Sequence, residues 1–165
     1  MSHIRFSVLA IATFVLMGAF SMTALSQDLL TQKVISVDMA QTMAQATIAQ
    51  CRANGYRVSV SIIDNGGSLK AFLRDDGSGA GTGDLSRSKA YTALFFRRTS
   101  GETAKAFGAM TPPPNVAGTV LLAGGVPIKA GTETIGAIGV SGAPGGDKDE
   151  ACADAGIAKV ADKLK

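Results

Sequence analysis

The chain has no tryptophan, one histidine, two cysteines and only 7 Phe and 2 Tyr. The lone histidine, His3, falls in a leader segment described below. The chain that follows therefore has no Ser-His or Cys-His pair, no HExxH helix and no histidine metal site. Phosphate-binding signatures are missing as well. There is no GK[ST], and counting GxGxxG from Gly79 and Gly81 puts Asp84 where the third glycine should stand. Gly139-Val140-Ser141-Gly142-Ala143 misses a nucleophile elbow by one residue and lacks its base. Basic residues are scattered apart from Arg97-Arg98, and the formal charge is only +3. That argues against nucleic acid as a partner. No helix sets a basic face against a bulky apolar one, which argues against membrane-surface binding.

The one long apolar run is Phe6 to Phe20, behind a short basic start and ahead of Ala24-Leu25-Ser26. This is the pattern of a secretory signal peptide, with a cut expected before Gln27. Fifteen apolar positions are short for a membrane span, which needs roughly 20. The expectation is a leader over 1–26, one domain over 27–165, no integral span after cleavage, and a periplasmic or secreted location. In an oxidising compartment Cys51 and Cys152 read as a structural disulfide. It would close a loop of about 100 residues and stabilise by roughly 4–5 kcal/mol in the chain-entropy model. A redox or metal role is the alternative, without CxxC spacing to support it.

What is present is a regular alternation of elements. Ser36 caps a helix expected over Val37 to Ala53, whose small residues, Cys51 among them, share one face. Arg57 to Asp64 alternates as a strand with one buried face. Asn65-Gly66 turns it into a returning strand, Leu69 to Arg74. Asp75 to Asp84 reads as a solvated loop, able to act as a lid. Asp84 would cap a second helix, Leu85 to Arg98, apolar nearly all round in its second half and so covered on two sides by the sheet and by either a ligand or a subunit. Thr99 and Glu102 form a capping box for a short third helix to Phe107. Pro112 to Pro114 read as a stiff connector, and Val120 to Leu122 as a brief strand.

Leu121 to Gly142 is the centre of the pattern. A hairpin of Val126 to Ala130 and Thr134 to Ser141 is ringed by Gly124, Gly125, Gly136, Gly139 and Gly142. Glycines in strands mark a close approach, either by a ligand or by a packed helix. Asp147 opens a last helix whose acidic start and lysine-rich end match the helix dipole. Its Asp147, Asp149 and Glu150 could instead bind a cation. The order of elements gives an α/β (α+β) fold with an antiparallel sheet and helices on its faces.

The remaining chemistry rests on carboxylates and cations: Asp64, Arg74, Asp75 and Asp76 at the ends of the first hairpin, Arg87 and Lys89 early in the second helix. Surface ion pairing explains each alone. A lysine beside an apolar wall can also take an acidic ligand or have a lowered pKa.

Several ordered segments resemble the GlcG/HbpS family, which includes the C-terminal domain of PduO-type proteins. They are VSIIDNGG at Val60–Gly67, FLRDDG at Phe72–Gly77, SKAYTA at Ser88–Ala93, GGVPI at Gly124–Ile128 and IGAIGVSG at Ile135–Gly142. The resemblance implies a profilin-like fold with a five-stranded antiparallel sheet, homo-oligomers, and a tie to haem or a related tetrapyrrole. Without histidine, the axial ligand would be Tyr91, Met110, a lysine, Thr92 or Thr111. Propionates would meet Arg74, Arg87 or Lys89, and the macrocycle Phe95 or Phe96. Gly124, Gly125, Gly139 and Ser141 complete the expected ligand-binding set, with Asp64 and Asp76. Two further functions stay open: an enzyme or accessory protein for a small organic acid using Lys89, Arg74 and Asp64, and an interaction module whose contact surface is the second helix.

Overall fold

The computed structural model describes residues 29–110 and 115–165. The expected leader, Thr111 and the three prolines lie outside the described residues. The chain divides into units Met1–Thr31 and Gln32–Lys165, and every helix and strand described belongs to the second.

The elements run α1 (Val37–Ala53), β1 (Ser59–Asp64), β2 (Leu69–Arg74), α2 (Thr82–Phe96), α3 (Ser100–Phe107), β3 (Gly125–Ala130), β4 (Glu133–Ser141) and α4 (Gly146–Ala158), with a 3-10 turn at Ala161–Lys163. The sheet has the order β2-β1-β4-β3, with every neighbouring pair antiparallel. Four strands are present among the described residues, not the five expected. Val120–Leu122 does not join the ladder. Val120 is held instead by Thr92 of α2, whose hydroxyl accepts from its N–H at 2.8 Å.

One face of the sheet is apolar. Val60 and Ile62 of β1, Ile128 of β3, and Ile138 and Val140 of β4 pack with Met43, Ala44 and Ile48 of α1 and Ala153 of α4. Here α1 and α4 lie against each other. Cys51 and Cys152 form a disulfide across 101 residues, with a Cα separation of 5.6 Å. Gly156 allows the approach, since a Cβ there would meet Thr47 and the Met43 carbonyl within 2.8 Å.

The other face carries α2 and is built differently. Its apolar part is small: Ile63, Ala90, Ala93 and Ala137. Ser59 and Ser61 point into it and are fully buried, not solvated as the alternation had implied. Their hydroxyls bond Thr82 at 2.8 Å and Ser86 at 2.7 Å. Both faces of β1 are therefore covered. Paired Gly125 and Gly139 lie directly beneath α2. A Cβ on Gly125 would be 2.0 Å from the Lys89 carbonyl, and one on Gly139 would be 1.9 Å from that of Ser86. The close approach at these two glycines is made by a packed helix.

Helix starts also differ from expectation. α2 begins three residues early, from Gly81 in the left-handed region, so Asp84 sits in the first turn rather than at the cap. The α3 capping box forms as read. α4 stops at Ala158, and the following residues tighten into the 3-10 turn.

Candidate functional site

Two sites are organised by α2, one on each side of it. The inner one centres on Lys89. Helical phase points this side chain toward the end of β4, where its ammonium donates to the Val140 carbonyl at 3.0 Å and to Asp149 Oδ2 at 2.7 Å. Asp149 comes from the first turn of α4, and its Oδ1 accepts from the Ala143 N–H at 3.0 Å. Lys89 is 4% exposed and Asp149 2%. Burial pushes the Asp149 carboxyl above the usual carboxylate range, against the opposing pull of the Lys89 hydrogen bond. The pair borders a cavity of about 340 Å³, with Leu85, Leu122, Ser141 and Ala143 among its walls.

The outer site lies along Arg87, Tyr91 and Phe95, spaced four residues apart on one face of α2. Tyr91 borders two hollows. One, of about 240 Å³, is completed by Asn65, Gly66, Leu94, Phe95 and Arg97. The other, of about 250 Å³, is completed by Ile63, Gly67, Arg87, Ser88 and Gly118. Asn65 and Arg97 also border a polar cleft of about 380 Å³ with Lys129 and Thr134. Arg97 ends α2 with φ 54°, the one left-handed non-glycine residue among those described. Phe95 is 52% exposed.

The structure divides the residues singled out in the sequence. Arg87, Tyr91 and Phe95 come together on the outer side of α2, and Lys89 and Ser141 on the inner side. Phe96 stacks edge-on to Phe95 and packs against Phe107, with the Arg98 guanidinium 5.9 Å from its ring. Thr92 is occupied: its hydroxyl donates toward the Ser88 and Val120 carbonyls and accepts from Val120. Gly124 adjoins Lys89, and a Cβ there would be 2.7 Å from Nζ. Asp64 closes the first hairpin by accepting from the Gly66 and Ser68 N–H groups at 3.0 Å. It lies at the opposite end of β1 from Ser59 and Ser141, hence far from Lys89. Arg74 is exposed and donates to the Ser78 carbonyl at 2.5 Å, while Asp76 is exposed beside it. Met110 is 52% exposed beyond α3.

Two partners escaped the sequence reading. Asp149 had been explained by the helix dipole, but it is the counter-charge of Lys89 across 60 residues. Asp75 is buried and takes a bidentate contact from Arg52, with Nη2 at 2.6 Å and Nε at 3.0 Å. That hydrogen bonding holds Asp75 below the usual carboxylate range. The alternation of charges near each residue offered no signal for either pairing. Among the described residues no cluster of His, Cys, Asp and Glu is placed to hold a metal ion, and no helix is long and apolar enough to cross a membrane.

This mixed fold, with four helices and an antiparallel sheet among the described residues, has known relatives. The family described as haem degrading protein HbpS-like matches residues 35–158, and the chain belongs to it. Protein GlcG of Escherichia coli strain K12 is 33% identical over 112 residues, covering 67% of this chain and 84% of GlcG. The crystal structure of HbpS superposes with a TM-score of 0.76 at 34% identity, covering 79% of this chain and 93% of that one. The PduOC:heme complex shares the fold with a TM-score of 0.68 at 20% identity, covering 77% and 95%.

Proposed function

We propose that this protein binds haem or a related tetrapyrrole on the outer side of α2, in a sensing, sequestering or degrading role. The observation that carries the reading is the Arg87–Tyr91–Phe95 row, with a hollow on either side of Tyr91, on a chain of a family described as haem degrading. The donor set fits such a group. Tyrosine is an established haem ligand, and guanidinium groups suit propionates through paired hydrogen bonds. Tyr91 would supply the axial oxygen, Leu94 and Phe95 the apolar contact, and Arg87 and Arg97 the carboxylate partners. When bound, haem supplies iron-centred redox and oxygen chemistry. Lys89 takes no part, because Asp149 and Val140 hold its ammonium on the other side of the helix.

Titration with ferric haem, followed in the Soret region, tests this. Saturable binding at micromolar haem is expected, with a changed spectrum in Tyr91→Phe and weakened binding in Arg97→Ala. A titration without shift or saturation overturns it.

The chain is also read as exported and self-associating. The apolar run at Phe6–Phe20 supports export, and the mass of the protein purified from its host would give the cut before Gln27. Exposed Leu69, Phe72 and Leu73 on β2, an edge strand, support association with a second copy. A monomer in light scattering would remove that reading.

A further inference from the structure

The Lys89–Asp149 pair has no part in the outer site, yet it is the only ion pair among the described residues with both side chains buried. Both groups are withdrawn from water, and a buried pair of this kind often stabilises no more than apolar residues of the same volume. It is also not sealed in the core. It borders a cavity of about 340 Å³ whose walls include Leu85, Leu122, Ala123 and Ala143. A surface ion pair would need no cavity, and an apolar cavity would need no ion pair.

Each group is held at a defined orientation. The ammonium has three N–H bonds, of which one goes to Val140 and one to Asp149. The carboxylate spends one oxygen on Lys89 and the other on the Ala143 N–H. The 2.7 Å contact is a direct charge-assisted hydrogen bond, with no group standing between nitrogen and oxygen. Passage of a proton to Asp149 would leave an electron pair on Nζ beside the Leu85, Leu122 and Ala143 wall of the cavity.

We propose that this cavity is a covalent binding site for a small aliphatic aldehyde or ketone, captured by Lys89 as an imine with Asp149 as the proton carrier. The proton passes from the ammonium to the carboxylate. Nζ then attacks the carbonyl carbon, forming the C–N bond while the carbonyl π pair moves to oxygen. The oxygen picks up the proton released by nitrogen, giving a carbinolamine. Asp149 protonates that hydroxyl, the C–O bond breaks and water leaves. The product is a protonated imine whose positive charge faces the regenerated carboxylate. Water is the only by-product, and no oxidant or reductant is consumed. The apolar wall takes the alkyl chain, and the Val140 carbonyl keeps one hydrogen bond to nitrogen. This inference does not depend on the haem binding proposed above for the other side of α2.

The test treats the intact protein with butanal and sodium cyanoborohydride, which reduces an imine to a stable butyl amine, and maps the adduct by peptide mass spectrometry. Exposed lysines such as Lys105 and Lys148 provide the internal reference. Lys89 is expected to label at least about tenfold faster than they do, through pre-positioning, despite its burial. Asp149→Asn is expected to reduce that labelling to the surface rate or below while labelling of Lys105 is unchanged. Wild-type protein whose surface lysines label while Lys89 stays unmodified overturns the proposal, and this arm needs no variant to fold. Equal labelling of Lys89 in wild type and a folded Asp149→Asn protein overturns the role of Asp149.

Discussion

The two faces of the sheet solve the same packing problem with opposite materials. Toward α1 and α4 the solution is bulk: isoleucines, valines and a methionine fill the space, and a disulfide joins the two helices. Toward α2 the solution is proximity: glycines and alanines bring the helix down, and hydroxyls satisfy one another across the gap. The first arrangement is tolerant, because apolar groups of similar volume can be exchanged. The second is not, because a helix resting on bare backbone has nothing flexible to displace. Arg87, Lys89, Tyr91 and Phe95 are all carried by α2 on the second face, and Asp149 reaches Lys89 from α4. A rigid support holds functional groups in fixed geometry.

The comparison can be broken at several points. The largest effect is expected at the disulfide. Cys152→Ser should cost about 4 kcal/mol by releasing the 101-residue loop, read as a lower urea midpoint that reductant no longer shifts. Next is Lys89→Met, which strands a buried carboxylate and should cost about 3 kcal/mol. The double variant Lys89→Met/Asp149→Leu should recover much of that loss, and a double variant no better than the single would show that the pair itself holds the helices. Gly139→Ala is the sharpest probe of proximity. Its methyl would stand 1.9 Å from a backbone carbonyl, so a loss of about 2 kcal/mol is expected in denaturant titration. Ala153→Gly, the opposite change on the stapled side, should cost about 1 kcal/mol.

The smallest effect concerns acid. Asp75 titrates below the usual range, chiefly through the Arg52 hydrogen bonds. Its folded pKa therefore lies under the unfolded value of about 3.9. The stabilisation it gives is complete above that unfolded value and is lost as pH falls through the folded one. Asp75→Asn should flatten the acid limb of a stability–pH curve measured below about pH 4. Asp149 has the opposite sign, because burial raises it. Its contribution weakens as pH rises from the ordinary carboxylate range toward the elevated value. An acid limb unchanged in Asp75→Asn would show that Arg52 contributes no pH dependence.

Much of this architecture was legible in the chain. The limits of α1 follow from Ser36 and Asn54, the first hairpin from Asn65-Gly66, and the start of α3 from Thr99 and Glu102. These are local signals, each decided within four or five residues. What was not legible depends on distant partners. Ser59 and Ser61 look like the wet side of a strand until Thr82 and Ser86 arrive from another element. Asp149 looks like a dipole-matching carboxylate until Lys89 reaches it. Gly81 displaced Asp84 as the cap because a left-handed turn can start a helix without a side-chain bond. At the site, the four-residue spacing of Arg87, Tyr91 and Phe95 could be read in advance. The hollows beside Tyr91 could not, because loops around Asn65 and Gly118 build them.

The strip formed by Gly125 and Gly139 also settles a matter of orientation. At this depth α2 turns Ser86, Lys89 and Ala90 down and Arg87, Tyr91 and Phe95 up. Two absent methyl groups therefore decide which cation is hidden and which is offered to solvent. A rotation of the helix by a single residue, about 100°, would bring Arg87 and Tyr91 down where Ser86 and Ala90 stand, against a strip with room only for backbone.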